Sequence, residues 1–198
     1  MVEVRLYLAS RNLWKIRELG LLARAHQIEL IPIDVPKVEI QSESLSDIAL
    51  YSVATAYLVL RKPVIVEDSG LYVKHLNMFP GAMSSYVFKT IGISGILKLM
   101  SGVRDREASF KSVIALAAPT INGVKLFGGE VRGTISEEPR GSGGFGFDPI
   151  FIPSGYDRTF AEMSVEEKNA ISHRGLAFRA LYRWISENCE LISCESWV

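Results

Sequence analysis

Apolar residues fall in two periods along this chain, and the switches between them outline its elements. Residues 2–9 alternate as a strand does, and Ile16, Leu19, Leu22 and Ala23 then recur at helical spacing, which predicts a helix over 13–25 with Asn12 as its N-cap. A second strand is expected over 28–33. Ile48, Tyr51, Ala54 and Leu58 share one side of a second predicted helix over 46–61, with Asp47 in the first turn, where the helix dipole favours an acid. Pro63 marks the turn into a short buried strand, Val64-Ile65-Val66. Glu67, Asp68, Ser69 and Gly70 then stand at its C-terminal end, where open α/β sheets keep their ligands.

The second half has a different texture. Long β-rich runs over 107–118 and 124–131 are joined by Thr120-Ile121-Asn122-Gly123, a hairpin signature, and predict a second, antiparallel lobe that shares the sheet. Ser164 and Glu167 have capping-box spacing, and a single apolar-periodic run continues from them to about Asn188. The order of elements predicts an α/β protein of two lobes with a groove between them. Repeats, low-complexity tracts and disordered linkers are absent from the pattern.

Composition narrows the classes of function. With 198 residues, 48% of them hydrophobic, the chain is long enough for one substantial core, and a single domain over 1–198 is expected. Lys plus Arg and Asp plus Glu both number 22, so the basic excess of a general nucleic-acid or membrane binder is missing. A free nucleotide needs only a few local cations. The strand-like start and the lack of a long apolar run point to a cytoplasmic protein. Cys189 and Cys194 are read as structural thiols, and His26 and His75 as surface residues.

Three segments carry chemistry. Lys168, His173 and Arg174 bring together a compact ammonium, a titrating imidazole and a planar guanidinium, a set able to hold a phosphate and a polar base edge. Taken singly, each is what the solvated face of a helix ordinarily carries. Upstream, Gly141-Ser142-Gly143-Gly144-Phe145-Gly146-Phe147-Asp148-Pro149 alternates glycine with aromatics before an acid. Phe145 and Phe147 offer faces for a flat ring, Gly146 allows close approach, and Asp148 can accept from ring N–H groups; a glycine turn with core aromatics is the plainer alternative. At the first strand-to-helix turn, the free N–H groups beginning near Asn12, with Lys15 one turn in, suit an anion.

Together these segments resemble the inosine triphosphatase or Ham1-like family of purine nucleoside-triphosphate pyrophosphatases, whose GFG(Y/F/W)DP loop precedes T-x-AE and SHR motifs. Ala9-Ser10-Arg11-Asn12-Leu13-Trp14-Lys15 is similar to the family's phosphate loop, Val66-Glu67-Asp68-Ser69-Gly70-Leu71 to its acidic motif, and Phe79-Pro80-Gly81-Ala82-Met83-Ser84-Ser85 to its proline-glycine segment. The resemblance spans nearly the whole chain. It implies an elongated two-lobed α/β fold around a central twisted mixed sheet, a homodimer, and Mg²⁺-dependent hydrolysis of ITP, dITP and XTP to the monophosphate and pyrophosphate.

The residue roles it implies are specific. Asp68 is the catalytic aspartate and shares the metal with Glu39, with Glu67 as an auxiliary ligand. Lys15 and Lys168 hold phosphates, Phe145, Asp148, His173 and Arg174 hold the base, and Ser10, Arg11, Asn12, Ser69, Gly146 and Phe147 complete the substrate-binding set, with Arg11 either touching a phosphate or pointing away. Donors at the 6-oxo edge favour inosine and xanthine over adenine. Two departures stand out: Arg11 occupies a position usually held by Gly or Ser, and the second helix has Tyr51 and Ser52 where many bacterial members carry a lysine. The segment 86–92 is read either as a dimer face or as a core helix. Rival readings are a phosphohydrolase of different base preference and a non-catalytic nucleotide-binding module. The two acids argue against the second.

Overall fold

Alternating β-branched and small residues make the strands two-faced, so helices pack on both sides of one sheet. The computed structural model describes residues 4–188, 190 and 192. Strands β1 (Val4–Ala9), β2 (Ile28–Ile33), β3 (Val64–Val73), β4 (Pro80–Gly81), β5 (Glu107–Ala117), β6 (Lys125–Ile135) and β7 (Phe151–Pro153) form a seven-stranded mixed sheet in the order β2-β1-β3-β5-β6-β7, with β4 on β3. β2, β1 and β3 run parallel, and the pairings from β3 through β5 and β6 to β7 are antiparallel.

Helices α1 (Leu13–Ala25), α2 (Leu45–Leu60), α3 (Ser84–Thr90), α4 (Gly92–Leu99), α5 (Val165–Ile171) and α6 (His173–Glu187) complete the fold. One face of the sheet, through Leu6, Leu8, Ile65, Ile114 and Leu116, packs against α1 and α6. The intervening positions Ala9, Val64, Val66, Ala115 and Ala117 face α2 through its Ala49, Val53 and Ala56. Gly129 in β6 lets α6 lie close, since a Cβ there would stand 2.1 Å from the His173 carbonyl oxygen. A third cluster, built on Leu71, Phe110, Phe151 and Phe160 with Ile96 and Met100, fills the other end. Among the described residues, no helix is long and apolar enough to cross a membrane.

Three expectations need correction. The third strand does not stop at Val66: it runs to Val73, so Glu67 and Asp68 lie within it. The reason is pairing. β1 matches β3 only at Val64 and Ile65, whereas β5 matches it from Val64 to Val73, so the strand continues after its parallel neighbour has ended. The hairpin of β5 and β6 forms the antiparallel half of the one mixed sheet, as a two-lobed fold around a central sheet requires. The helical run after Ser164 is two helices, because Ser172 takes an extended conformation and caps α6 by accepting from Gly175 N, although the Ser164–Glu167 capping box is present. His26, finally, is half-buried and stacks on Tyr182 at 4.1 Å.

His75 is exposed. Cys189 and Cys194 lie outside the described residues. In the 86–92 segment Val87 is buried, while Tyr86, Phe88 and Ile91 are exposed.

Candidate active site

Where β1 ends and β3 continues, the sheet opens into a groove of about 800 Å³. Every residue nominated from the sequence lines it. Its first wall is the start of α1. Asn12 Oδ1 accepts from Trp14 N at 3.0 Å and Lys15 N at 3.2 Å, the N-cap that a short polar side chain makes with otherwise unpaired helical N–H groups. Asn12 N in turn donates to Ser10 Oγ. Lys15 reaches across to β3, with Nζ 3.0 Å from both the carbonyl oxygen and Oε2 of Glu67 and 3.7 Å from Asp68 Oδ1. Arg11 turns outward and pairs with Asp34 at 2.7 Å.

The two acids of β3 point to opposite faces, as consecutive strand residues must. Glu67 is enclosed: Ser112 Oγ donates to its Oε1 at 2.7 Å, and Arg174 Nη2 lies 3.2 Å from the same oxygen. Burial opposes its charge, but Arg174 and Lys15 overcome that penalty and hold the carboxyl well below the usual range. Asp68 keeps a side chain 28% exposed to the groove. Burial pushes its carboxyl above the ordinary aspartate value against the pull of Lys15, with Glu67 and Glu39 adding to the rise. Glu39 comes from the loop before α2, is paired with Lys37, and is 65% exposed. Ser52 of α2 is buried and donates to the Val38 carbonyl, which anchors that loop.

The second wall is the glycine loop. Gly144 adopts φ +65° and leaves room for Asp148, whose Oδ2 would stand 2.2 Å from a Cβ there. Asp148 Oδ2 accepts from Phe145 N at 2.7 Å and from Lys168 Nζ at 2.6 Å. Phe145 lies beneath two cations, with Lys168 Nζ at 5.0 Å and Arg174 Cζ at 5.3 Å from its ring centre. Phe147 is only 3% exposed and meets Phe88 edge-on at 5.4 Å.

The break at Ser172 places His173 and Arg174 in the first turn of α6, both buried. His173 stacks on Phe110 at 4.7 Å, and its Nδ1 has no hydrogen-bond partner. Burial, with Arg174 and Lys168 nearby, drives its pKa well below the ordinary value and keeps the ring neutral at pH 7. Arg174 Nη2 donates to Ser69 Oγ at 3.0 Å, while its buried Nε has no partner.

One residue that pattern reading passed over ties the walls together. Glu18, 2% exposed, accepts from Lys168 Nζ at 2.7 Å and from Arg174 Nη1. Burial resists its ionisation, but Arg174 and Lys168 outweigh that and lower its pKa. A signal existed: Glu18 is one helical turn from both Lys15 and Leu22, hence on the inward face of α1. Ser112 and Phe110, on β5, had none, because the register of β5 against β3 brings them to the site.

Among the described residues, no group of three or more His, Cys, Asp or Glu could hold a metal ion. Glu39 and Asp68 alone suit a cation that keeps waters and takes its remaining oxygens from a phosphate chain, as Mg²⁺ does.

A model of the Ham1 family matches residues 6–184. The dITP/XTP pyrophosphatase of Hyperthermus butylicus is 51% identical over 94% of this chain and 97% of its own length. That of Thermococcus kodakarensis is 47% identical, over 93% and 99%. The solved HAM1 protein of Coxiella burnetii superposes with a TM-score of 0.82 at 35% identity, covering 93% of this chain and 99% of its own.

Proposed function

This chain belongs to the Ham1 family, and from that premise we propose that it hydrolyses deaminated purine nucleoside triphosphates, ITP, dITP and XTP, to the monophosphate and pyrophosphate, acting in the cytoplasm on the free nucleotide pool. The observation that carries the reading is the bridge made by Lys15: one ammonium joins the phosphate-facing start of α1 to the acids of β3. Arg174 makes the second link, from Glu67 and Ser69 to the ring of Phe145. Acids, phosphate cradle and base loop thus address one molecule.

In this reading Asp68 accepts the proton of the attacking water, and Asp68 and Glu39 would hold a Mg²⁺ ion that would supply positive charge against the triphosphate. Lys15 and the N–H groups near Asn12 hold the phosphate chain. Asp148 is fixed by Phe145 N and Lys168, which sets the loop against which the base lies. The chain works as a homodimer through the face of Tyr86, Phe88 and Ile91, exposed apolar side chains that a second copy would cover.

Incubation with ITP and Mg²⁺ is expected to yield IMP and pyrophosphate, with turnover abolished by EDTA, restored by Mg²⁺ and poorly supported by the larger Ca²⁺. Orthophosphate as the product, or full activity in chelator, would reject the assignment.

Selection of the base rests on the partnerless Nε of Arg174 and on neutral His173, donors suited to a 6-oxo group. A charge-assisted hydrogen bond is worth about 1.5–3 kcal/mol, so Arg174→Ala should shrink the ITP-to-ATP ratio of kcat/KM by about one to two orders of magnitude. An unchanged ratio would show that Arg174 does not read the base, whatever happens to the absolute rates.

A further inference from the structure

The ring nearly parallel to Phe145 is not Phe147 but Trp14. The two planes differ by 11°, with centroids 6.2 Å apart. Phe147 is committed elsewhere, buried in the cluster that holds Phe110 and Phe160. Trp14 is 46% exposed, on the first turn of α1, and borders the groove.

We propose that Trp14 is the second wall of the base slot, and that the purine enters between its indole and the ring of Phe145. This rests on the nucleotide reading of the groove and extends it to a residue of the phosphate-loop segment to which no role has been given. A flat ring between two others needs two van der Waals gaps of roughly 3.5–4.0 Å, so the walls of a filled slot stand roughly 7–8 Å apart. The observed centroid separation of 6.2 Å is narrower than that. Entry of a purine therefore requires the half-exposed Trp14 side chain to turn outward, while its backbone N–H stays capped by Asn12 Oδ1.

Position adds to the argument. Trp14 immediately precedes Lys15, whose ammonium reaches the acids, so one helical turn carries both a base wall and a phosphate contact. An indole overlaps a bicyclic purine more fully than a single pyrimidine ring, so Trp14 favours purines by area, while the 6-oxo donors choose among them.

The test compares Trp14→Ala and Trp14→Phe with the wild-type chain, using ITP as substrate and inorganic tripolyphosphate, which has the phosphates and no base, as competing inhibitor. Base stacking on an aromatic predicts a rise in KM for ITP of about 5- to 100-fold in Trp14→Ala, with the loss in KM more than in kcat and largely recovered in Trp14→Phe. Inhibition by tripolyphosphate should not change. IMP should quench tryptophan emission of the wild-type chain, and the quench should vanish in Trp14→Phe, which retains Trp184 and Trp197. Equal weakening of ITP and tripolyphosphate would overturn the proposal, because Trp14 would then serve only the phosphate loop; so would an unchanged KM in Trp14→Ala. Failure of the wild-type chain to hydrolyse ITP would sink the nucleotide reading itself, and the slot with it.

Discussion

Asp68→Asn is expected to lower kcat for ITP by about 10²- to 10⁴-fold, the usual contribution of a positioned general base, while leaving the fold intact. The amide matches the carboxylate in shape but carries no charge for a metal ion and takes up no proton. The side chain is the more exposed of the two β3 acids, and Lys15 lies 3.7 Å from it, so the substitution removes no enclosed ion pair. Nucleotide binding through Lys15, Phe145 and the loop around Asp148 should persist. Steady-state kinetics alongside a thermal melt check this, and near-normal turnover by the variant would remove Asp68 from the role.

Glu18→Ala should have the largest effect on stability. Three carboxylates, Glu18, Glu67 and Asp148, are paired with three cations, Lys15, Lys168 and Arg174. Deleting Glu18 leaves Lys168 and Arg174 short of a partner in a buried place. Breaking a buried pair from one side costs about 3–5 kcal/mol. For a chain of this size that lowers Tm by roughly 6–20 °C. Removing the opposing charge as well, in Glu18→Ala with Lys168→Met, should recover part of the loss, as a double-mutant cycle would show.

The pH dependence has a definite sign. The folded-state pKa of Glu18 is depressed, so its contribution is present above the unfolded glutamate value and is lost as pH falls through the lower folded value. The gap between variant and wild type should therefore close in acid. A gap that persists there, or a variant as stable as wild type at pH 7, would show that the cluster does not depend on Glu18.

Much of this was legible in the sequence where structure is local. The Asn12 cap, the Ser164–Glu167 capping box and both long helices of the first half follow from side chains that satisfy neighbouring backbone groups or recur with the helical period. The break at Ser172 was not legible. Nothing in the apolar period marks it, and it occurs because the serine caps α6, on which Ala177, Phe178 and Leu181 join the α1 face of the sheet.

The length of β3 was likewise hidden, since the acids that end an apolar run look like a strand end unless the partner strand is known. Seven-strand order and the pairing of Glu67 with Ser112 are decided by β5, whose register no local pattern encodes. What the sequence by itself determined was the strands and helices of the first half, the cap at Ser164, the family motifs and the residues that line the groove, because composition, periodicity and capping act over a few neighbouring positions. Tertiary structure alone decided that Glu18 joins Lys168 and Arg174, that Phe147 goes to the core, and that Trp14 faces Phe145. Those relations depend on which strands and helices meet, and the burial that makes their charges and rings matter exists only once they have met.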